Sequence, residues 1–422
     1  MRILATSDWH IGNYFHTVDR LPEHRHFLNW LTQTIVDTAA DGLLVAGDVF
    51  DNANPSAAAQ ALYYGFLADI TTRCPHLQIV ITAGNHDSAH RLEAPAAILQ
   101  RHHIEVRGAV HRQWVAEAEG GHWEFDYNRL LIPLASASGE EQIVVLAVPF
   151  LRSEVMLDGS YSAGVNEFLR QLTARARLLY PHARLVMMAH MYAKGADIAS
   201  RSSEKIVIGG QEEVTFAPWS DHPDYLTCGH IHKRQHIWNT SWARYTGSIL
   251  PMSFAERDYH HGVDLLTIAD GEPLTAEFIE YTPQHALRSL PETGALPLKE
   301  LKKAIKKELT DRQDDMLSEQ SVYLELKLES ASVSPDERSE IEQLVARKDA
   351  VLCRIEQVMP DVHLTGEESG REFRSVDDIL ERDPMEAISE CFVAAKGRGL
   401  SEAQKRLVAE AIDKVKHQEE EE

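Results

Sequence analysis

Two hydrophobic rhythms alternate through the first half of the chain. Short apolar runs, Ile3-Leu4-Ala5 within Arg2 to Thr6, Leu43-Leu44-Val45, and Gln78 to Thr82, have the length and composition of buried strands. Between them, apolar residues recur every three to four positions. Leu28, Leu31, Ile35 and Ala39 predict a helix from Glu23 to about Ala40. Ala57, Ala61, Tyr64 and Ala68 predict a second, capped by Ser56 and running to about Asp69. A strand, a crossing helix and a further strand make a βαβ unit, so a parallel sheet is expected. Arg184 to Ala189 and Tyr225 to Cys228 repeat the strand signature, and about His111 to Gln142 reads as a hairpin insertion.

After Pro283 the pattern changes. Pro297 to Leu309 reads as a Lys-rich helix, Val322 to Leu328 as an alternating strand, Pro335 to Arg347 as a helix and Ala350 to Val358 as a strand, giving a small α/β module over residues 284–360. A polar, Gly-containing linker, 361–374, follows. Two helices, about 376–394 and 401–416, are expected within 375–418, and residues 419–422 are an acidic tail. That pair is too short for a core of its own, so its apolar faces should bury against something else.

What ends each strand changes the picture from fold to chemistry. The first runs into Ser7-Asp8-Trp9-His10-Ile11-Gly12, where Asp8 and His10 point the same way and can reach one cation. The Leu43 strand ends in Ala46-Gly47-Asp48-Val49-Phe50-Asp51, and the next in Gly84-Asn85-His86-Asp87. Parallel sheets hold ligands at the carboxyl ends of their strands, and three successive tips there carry metal-capable groups. His190 terminates a later strand, and Gly229-His230-Ile231-His232 places two imidazoles on one side of an extended segment. Asp8, His10, Asp48, Asn85, His190, His230 and His232 are oxygen and imidazole donors, which suit Mn²⁺, Fe²⁺, Mg²⁺ or Zn²⁺. Seven donors are too many for one tetrahedral ion and suffice for two. A shared carboxylate would hold such ions about 3.5–4 Å apart, the spacing at which a pair activates water and stabilises in-line displacement at phosphorus.

Charge and cysteine usage qualify this only slightly. The 422 residues carry a net charge of −23, which argues at first against nucleic acid. The acidity is densest after residue 283, where 32 acidic residues face 21 basic ones, and a metal centre brings its own positive charge. Arg91, Arg201, Lys205, Lys233, Arg234 and Arg257 lie near the ligands in sequence and could hold phosphates, though each alone reads as surface. The four cysteines form no C-x-x-C pair, so no disulfide framework or zinc ribbon is indicated. With no apolar stretch near the roughly 20 residues of a membrane span and no signal peptide, a cytosolic, membrane-free protein is expected.

In this order and spacing, Asp-x-His-x-Gly, Gly-Asp-x-Phe-Asp, Gly-Asn-His-Asp, a strand-terminal His and Gly-His-x-His resemble the calcineurin-like metallophosphoesterase superfamily. Ser7-Asp8-Trp9-His10, Asn85-His86-Asp87-Ser88, Val148-Pro149-Phe150-Leu151-Arg152, Gln235, Tyr245-Thr246-Gly247-Ser248 and Ser253-Phe254 bring the chain nearer to the SbcD family, nuclease subunits of SbcCD DNA-repair complexes. The resemblance spans essentially the whole chain, most strongly to about residue 282. It implies an α/β fold: a metallophosphoesterase β-sandwich flanked by helices over residues 1–283, a small α/β DNA-capping domain and a C-terminal helical pair. It implies two divalent ions, manganese being the family's suggestion. Asp8, His10, Asp48 and His232 would hold the first, and Asp48, Asn85, His190 and His230 the second. His86 would protonate the leaving oxygen, with Asp87 orienting it. Some relatives have His where Asp51 stands, so Asp51 reads as acting from behind the ligands.

The implied activity is exonucleolytic and endonucleolytic hydrolysis of DNA at ends and hairpins, serving repair, recombination and replication. The implied partners are DNA and an SbcC-like ABC-type coiled-coil ATPase, with this chain a homodimer inside a heterotetramer. The implied place is the bacterial cytoplasm, at the nucleoid. Two other readings stay open: a phosphoesterase of small molecules or phosphoproteins, and an idle scaffold for the ATPase. Protein phosphatases carry Gly-Asp-x-x-Asp-Arg-Gly and Gly-Asn-His-Glu, where this chain has Asn52-Ala53 and Asp87; the full donor set disfavours the scaffold.

Overall fold

A computed structural model describes residues 1–117, 120–136, 142–199, 213–215, 221–238, 240–269, 271–312, 318, 321–330 and 332–359, and beyond them only 385, 389, 392, 400–401 and 404–409. In chain order, β1 (Arg2–Thr6), α1 (Leu21–Thr38), β2 (Gly42–Ala46), α2 (Ala57–Arg73), β3 (Gln78–Thr82) and β4 (Ile104–Arg107) build the parallel half of a first sheet. A hairpin, β5 (Arg112–Glu117) and β6 (Gly120–Phe125), follows as a separate ribbon. β7 (Leu131–Ala135), β8 (Gln142–Ala147), α3 (Tyr161–Leu179), β9 (Arg184–His190), β10 (Tyr225–Gly229), β11 (Gln235–His236) and β12 (Ala243–Tyr245) supply a second sheet, ordered β11-β12-β10-β9-β8-β7. β13 (His261–Thr267) and β14 (Thr275–Tyr281) return antiparallel to complete the first, ordered β14-β13-β1-β2-β3-β4.

The alternation of side chains along each strand explains the layering. Leu4, Leu43 and Val45 face outward into a core shared with Phe27, Leu31, Phe66 and Ile70 of α1 and α2. Ile3, Ala5, Leu44 and Val80 face inward and meet Val145, Val186 and Met188 of the second sheet. The outer face of that sheet, with Leu146, Met187 and Leu226, is covered by Phe168 and Leu172 of α3. The result is two sheets pressed face to face with helices on both outsides, as expected of a β-sandwich flanked by helices.

Three details differ from the sequence expectation. The buried stripe of α2 is Ala59, Leu62, Tyr63, Phe66, Leu67 and Ile70 rather than Ala57, Ala61 and Ala68, which are exposed. Apolar residues surround that helix, and the bulkiest, which bury the most area, set its phase. Ala39 is not on the stripe of α1; it is the left-handed residue ending the helix, at φ 47°. The insertion at 111–142 is a hairpin only as far as Phe125, since Leu131–Ala135 is an edge strand of the second sheet.

β15 (Leu287–Leu290), α4 (Leu298–Glu308), β16 (Val322–Glu329), α5 (Pro335–Val345) and β17 (Ala350–Val358) form a third, parallel sheet with two helices. Its core is separate: Leu290, Leu301, Ile305, Leu324, Leu326, Ile341 and Val345 pack together. The strand at β15 escaped the sequence reading because Arg288 and Ser289 interrupt its short apolar run. Met1–Pro360 makes one compact unit and Asp361–Glu422 another. In the second, residues 404–409 are helical, and Ser401 caps them: its Oγ accepts from Gln404 N–H while its own backbone N–H donates to Gln404 Oε1. The linker, the acidic tail and the remainder of the helical pair lie outside the described residues. Among the described residues no helix is long and apolar enough to cross a membrane.

Candidate metal centre

β1, β2 and β3 lie side by side and parallel, so their carboxyl-terminal turns share one edge. The turns knit together past the strand ends: Asp8 N–H donates to Gly47 O, His10 N–H to Asp48 O and Ile11 N–H to Val49 O. Asp8, His10 and Asp48, and His230 of the facing sheet, have φ of 51°, 45°, 48° and 96°. Non-glycine residues in this left-handed region each cost of order 1–3 kcal/mol, and such strain concentrates at functional sites. Two glycines permit the close approach. A Cβ on Gly84 would sit 2.1 Å from Asp48 Oδ1, and one on Gly229 would sit 2.2 Å from Ala46 O and 2.8 Å from His190 Nδ1.

The side chains then converge. Asp48 Oδ2 lies 3.4 Å from His190 Nε2 and 3.6 Å from His10 Nε2, while its Oδ1 accepts from His86 N–H at 2.9 Å. Asn85 Oδ1 lies between His190 Nε2 at 2.9 Å and His230 Nδ1 at 3.0 Å. Asp8 accepts from the His230 N–H and from Ser7 Oγ. Three overlapping groups have donor atoms within 4.8 Å of one another: Asp8, His10 and His232; His10, Asp48 and His86; and Asp8, Asp48 and His190. Asp8, His10, Asp48, His190 and His232 are buried, whereas Asn85, His86 and His230 are half-buried and form the open side.

Electrostatics follow from that crowding. Burial pushes the Asp48 carboxyl up, but the His190, His10 and His86 imidazoles more than offset it and hold it well below the usual range. Burial depresses His190, yet Asp48 lifts it to about 9. Burial and the neighbouring His190 push His230 down to about 3. The donor set, two buried carboxylates, an amide oxygen and imidazoles, fits divalent cations. So does the buried His10 Nε2, which has no hydrogen-bond partner among the described residues. A cation between these groups would satisfy the orphan nitrogen and offset the carboxylate charge.

The expectation for Asp87 needs correcting. Its Oδ2 accepts from Val49 and Gly84 N–H and its Oδ1 from Phe50 N–H, each at 2.9–3.0 Å. With both oxygens so engaged it clasps the turn after β2 to the turn after β3. The partner of His86 Nδ1 is instead the Asp51 backbone carbonyl, at 2.8 Å. The Asp51 carboxylate accepts from Asn13 and stands 3.7 Å from His10 Nδ1. Of the basic residues named from sequence, Lys233 pairs with Asp197, Arg234 with buried Asp264, and Arg257 with Asp258. Arg201 and Lys205 lie outside the described residues.

Sequence reasoning missed Glu256. Its carboxylate is fully buried, with Oε2 3.3 Å from His232 Nδ1 and 2.8 Å from Met252 N–H, and Oε1 accepting from Ser253 Oγ at 3.1 Å. The one available signal was Ser253-x-x-Glu256, a capping-box pattern that announces a helical turn rather than a site.

The profile of the calcineurin-like phosphoesterases matches residues 1–234, a range that includes the seven candidate donors, and one described as the type 5 capsule protein repressor C-terminal domain matches residues 283–395. The chain is 37% identical over 318 residues to the SbcD chain of the SbcCD nuclease of Rhodobacter capsulatus, covering 72% of this chain and 75% of that one. It is 32% identical over 287 residues to the protein of the same name from Escherichia coli K12, covering 64% and 66%. With that of Bacillus subtilis 168 it shares 31% over 279 residues, covering 65% and 68%.

Proposed function

The chain belongs to the calcineurin-like phosphoesterases and, among them, to the SbcD family of nucleases; from that premise we propose that it hydrolyses DNA phosphodiesters with two divalent ions at the β1–β2–β3 edge. One observation carries this: three adjacent strand tips and two from the facing sheet bring carboxylate, amide and imidazole donors within ligand distance of one another around Asp48. In this reading Asp8, His10, Asp48 and His232 hold one ion and Asp48, Asn85, His190 and His230 the other. Manganese is the metal we assign.

Divalent ions bound there neutralise charge on the phosphate and activate water as the nucleophile. The protein's own contribution is placement. Asp48 faces both positions, and the glycines let the turns close around it. His86, on the open side with Nδ1 tied to the Asp51 carbonyl, would give a proton from Nε2 to the departing sugar oxygen. Asp87 acts one step further back by fixing the turn that carries His86.

The finer assignments rest on the family. Cleavage at DNA ends and hairpins, an SbcC-like ABC-type coiled-coil ATPase received by residues 375–418, DNA held against the module at 284–360, and a homodimer within a heterotetramer all belong to the proposal. So do a cytoplasmic, nucleoid-associated location and roles in repair, recombination and replication.

The test is Mn²⁺-dependent digestion of linear duplex DNA by the chain with its ATPase partner, run beside para-nitrophenyl phosphate esters. DNA cleavage lost in both Asp48→Ala and His86→Ala, with metal binding retained only in the latter, supports the reading. Equal metal loss in both variants contradicts the division of roles, and turnover of the small esters alone contradicts the substrate.

A further inference from the structure

The imidazoles of the centre are backed unequally. His190 presents Nδ1 to a neutral acceptor, the Ala46 carbonyl, at 3.0 Å. His10 Nδ1 faces the Asp51 carboxylate at 3.7 Å, beyond hydrogen-bond range. His232 Nδ1 meets the fully buried Glu256 carboxylate at 3.3 Å. That carboxylate is itself fixed by Met252 N–H and Ser253 Oγ, on the short helical turn Phe254–Glu256. With Met252 N–H and Ser253 Oγ both donating to it, Glu256 meets His232 Nδ1 as an acceptor, and a proton held on Nδ1 leaves Nε2 to serve the group formed with Asp8 and His10. A carboxylate behind a ligating imidazole also raises its basicity and fixes its ring.

We infer that Glu256 is a positioning residue that makes the two metal positions unequal, strengthening the one built on Asp8, His10 and His232 over the one built on Asn85, His190 and His230. The inference rests on the two-metal reading and deepens it. Glu256 touches neither substrate nor metal; it acts through the tautomer, orientation and basicity of His232.

Glu256→Gln tests this with little change of shape. Met252 N–H and His232 Nδ1 meet the same oxygen, Oε2, so the amide keeps its oxygen there and turns its NH2 to Ser253 Oγ; the tautomer is preserved and only the negative charge that raises the basicity of His232 is removed. Calorimetric titration of the metal-free chain with Mn²⁺ should resolve two steps in the wild type. In Glu256→Gln one step should weaken about tenfold to a hundredfold while the other and the metal-free melting midpoint stay put. Nitrogen-15 spectra of the metal-free protein should show His232 as the Nδ1–H tautomer in the wild type and in Glu256→Gln, and lose that signature in Glu256→Leu, which removes the acceptor. Unchanged steps in Glu256→Gln, or a parallel loss in both steps with a lowered melting midpoint, would overturn the inference. A wild type that binds fewer than two ions sinks the two-metal reading itself, a failure distinct from that of Glu256.

Discussion

Two buried polar clusters in the first compact unit behave in opposite ways. At the seam between the sandwich and the third sheet, Arg20 donates through Nε and Nη2 to Glu23 at 2.8 and 3.0 Å, and through Nη1 to the Pro251 carbonyl. Tyr323 of β16 adds its hydroxyl to Glu23 at 2.8 Å and stacks on Phe15. Each guanidinium nitrogen has a partner and the charges cancel, so the cluster is complete as it stands. The candidate metal centre buries Asp8, His10, Asp48, His190 and His232 but is open on the side of Asn85, His86 and His230; it leaves His10 Nε2 without a hydrogen-bond partner among the described residues, sets strained backbone at four residues and crowds oxygens against imidazoles. A polar cluster that satisfies itself holds a fold together; one that does not satisfy itself is built for a ligand.

Removing a charge from each should therefore produce different failures. The largest effect falls on the centre. Asp48→Ala should abolish Mn²⁺ binding and DNA cleavage while the chain still melts cooperatively, whereas His86→Ala should lower the cleavage rate by about 10²–10⁴ with metal stoichiometry intact. Calorimetry beside a nuclease assay checks both.

The seam should fail through stability instead. Arg20→Ala strands Glu23 as an unpaired buried charge and should cost about 3–5 kcal/mol, read by urea denaturation, with Mn²⁺ affinity retained. A variant that lost metal but no stability would erase the contrast.

His24 lies between the two regions, with Nδ1 2.8 Å from the Arg20 carbonyl oxygen and Nε2 3.0 Å from that of Trp9, to one of which the neutral ring donates. Burial, with Arg20 nearby, lowers its pKa from the ordinary 6.5 to about 4. The unfolded chain takes up this proton below about 6.5 and the folded one only near 4, so its contribution is full above that window and is lost as pH falls through it. Melting midpoints of the metal-free chain should drop less steeply between pH 6.5 and 4 in His24→Gln than in the wild type.

The smallest effect belongs to Tyr323→Phe. It removes a single hydrogen bond to a charged acceptor and should cost about 1.5–3 kcal/mol without altering cleavage. A larger loss, or a changed metal affinity, would mean that the seam reaches into the centre.

How much of this was legible in the sequence follows the same division. Asp8, Asp48, Asn85 and His190 could be read because each sits where an unbroken apolar run stops, and a strand tip has a known place and direction. Glu256 could not, since it occupies an irregular turn far from any strand end and reaches His232 only across the fold. Asp87 was visible as a residue but not in its role, because backbone N–H partners leave no mark on the sequence. Arg20 and Glu23 were equally hidden: a buried ion pair looks, in one dimension, like the polar start of an ordinary surface helix. The phase of α2 failed for a different reason, its apolar residues being too many to define a face.

Everything turns on whether Asp48 lies between two ions. Crystals of the full chain grown with Mn²⁺ and measured at the manganese edge should show two anomalous peaks about 3.5–4 Å apart, one beside His10 and His232 and the other beside Asn85 and His190. A single peak, or manganese bound away from Asp48, would contradict it.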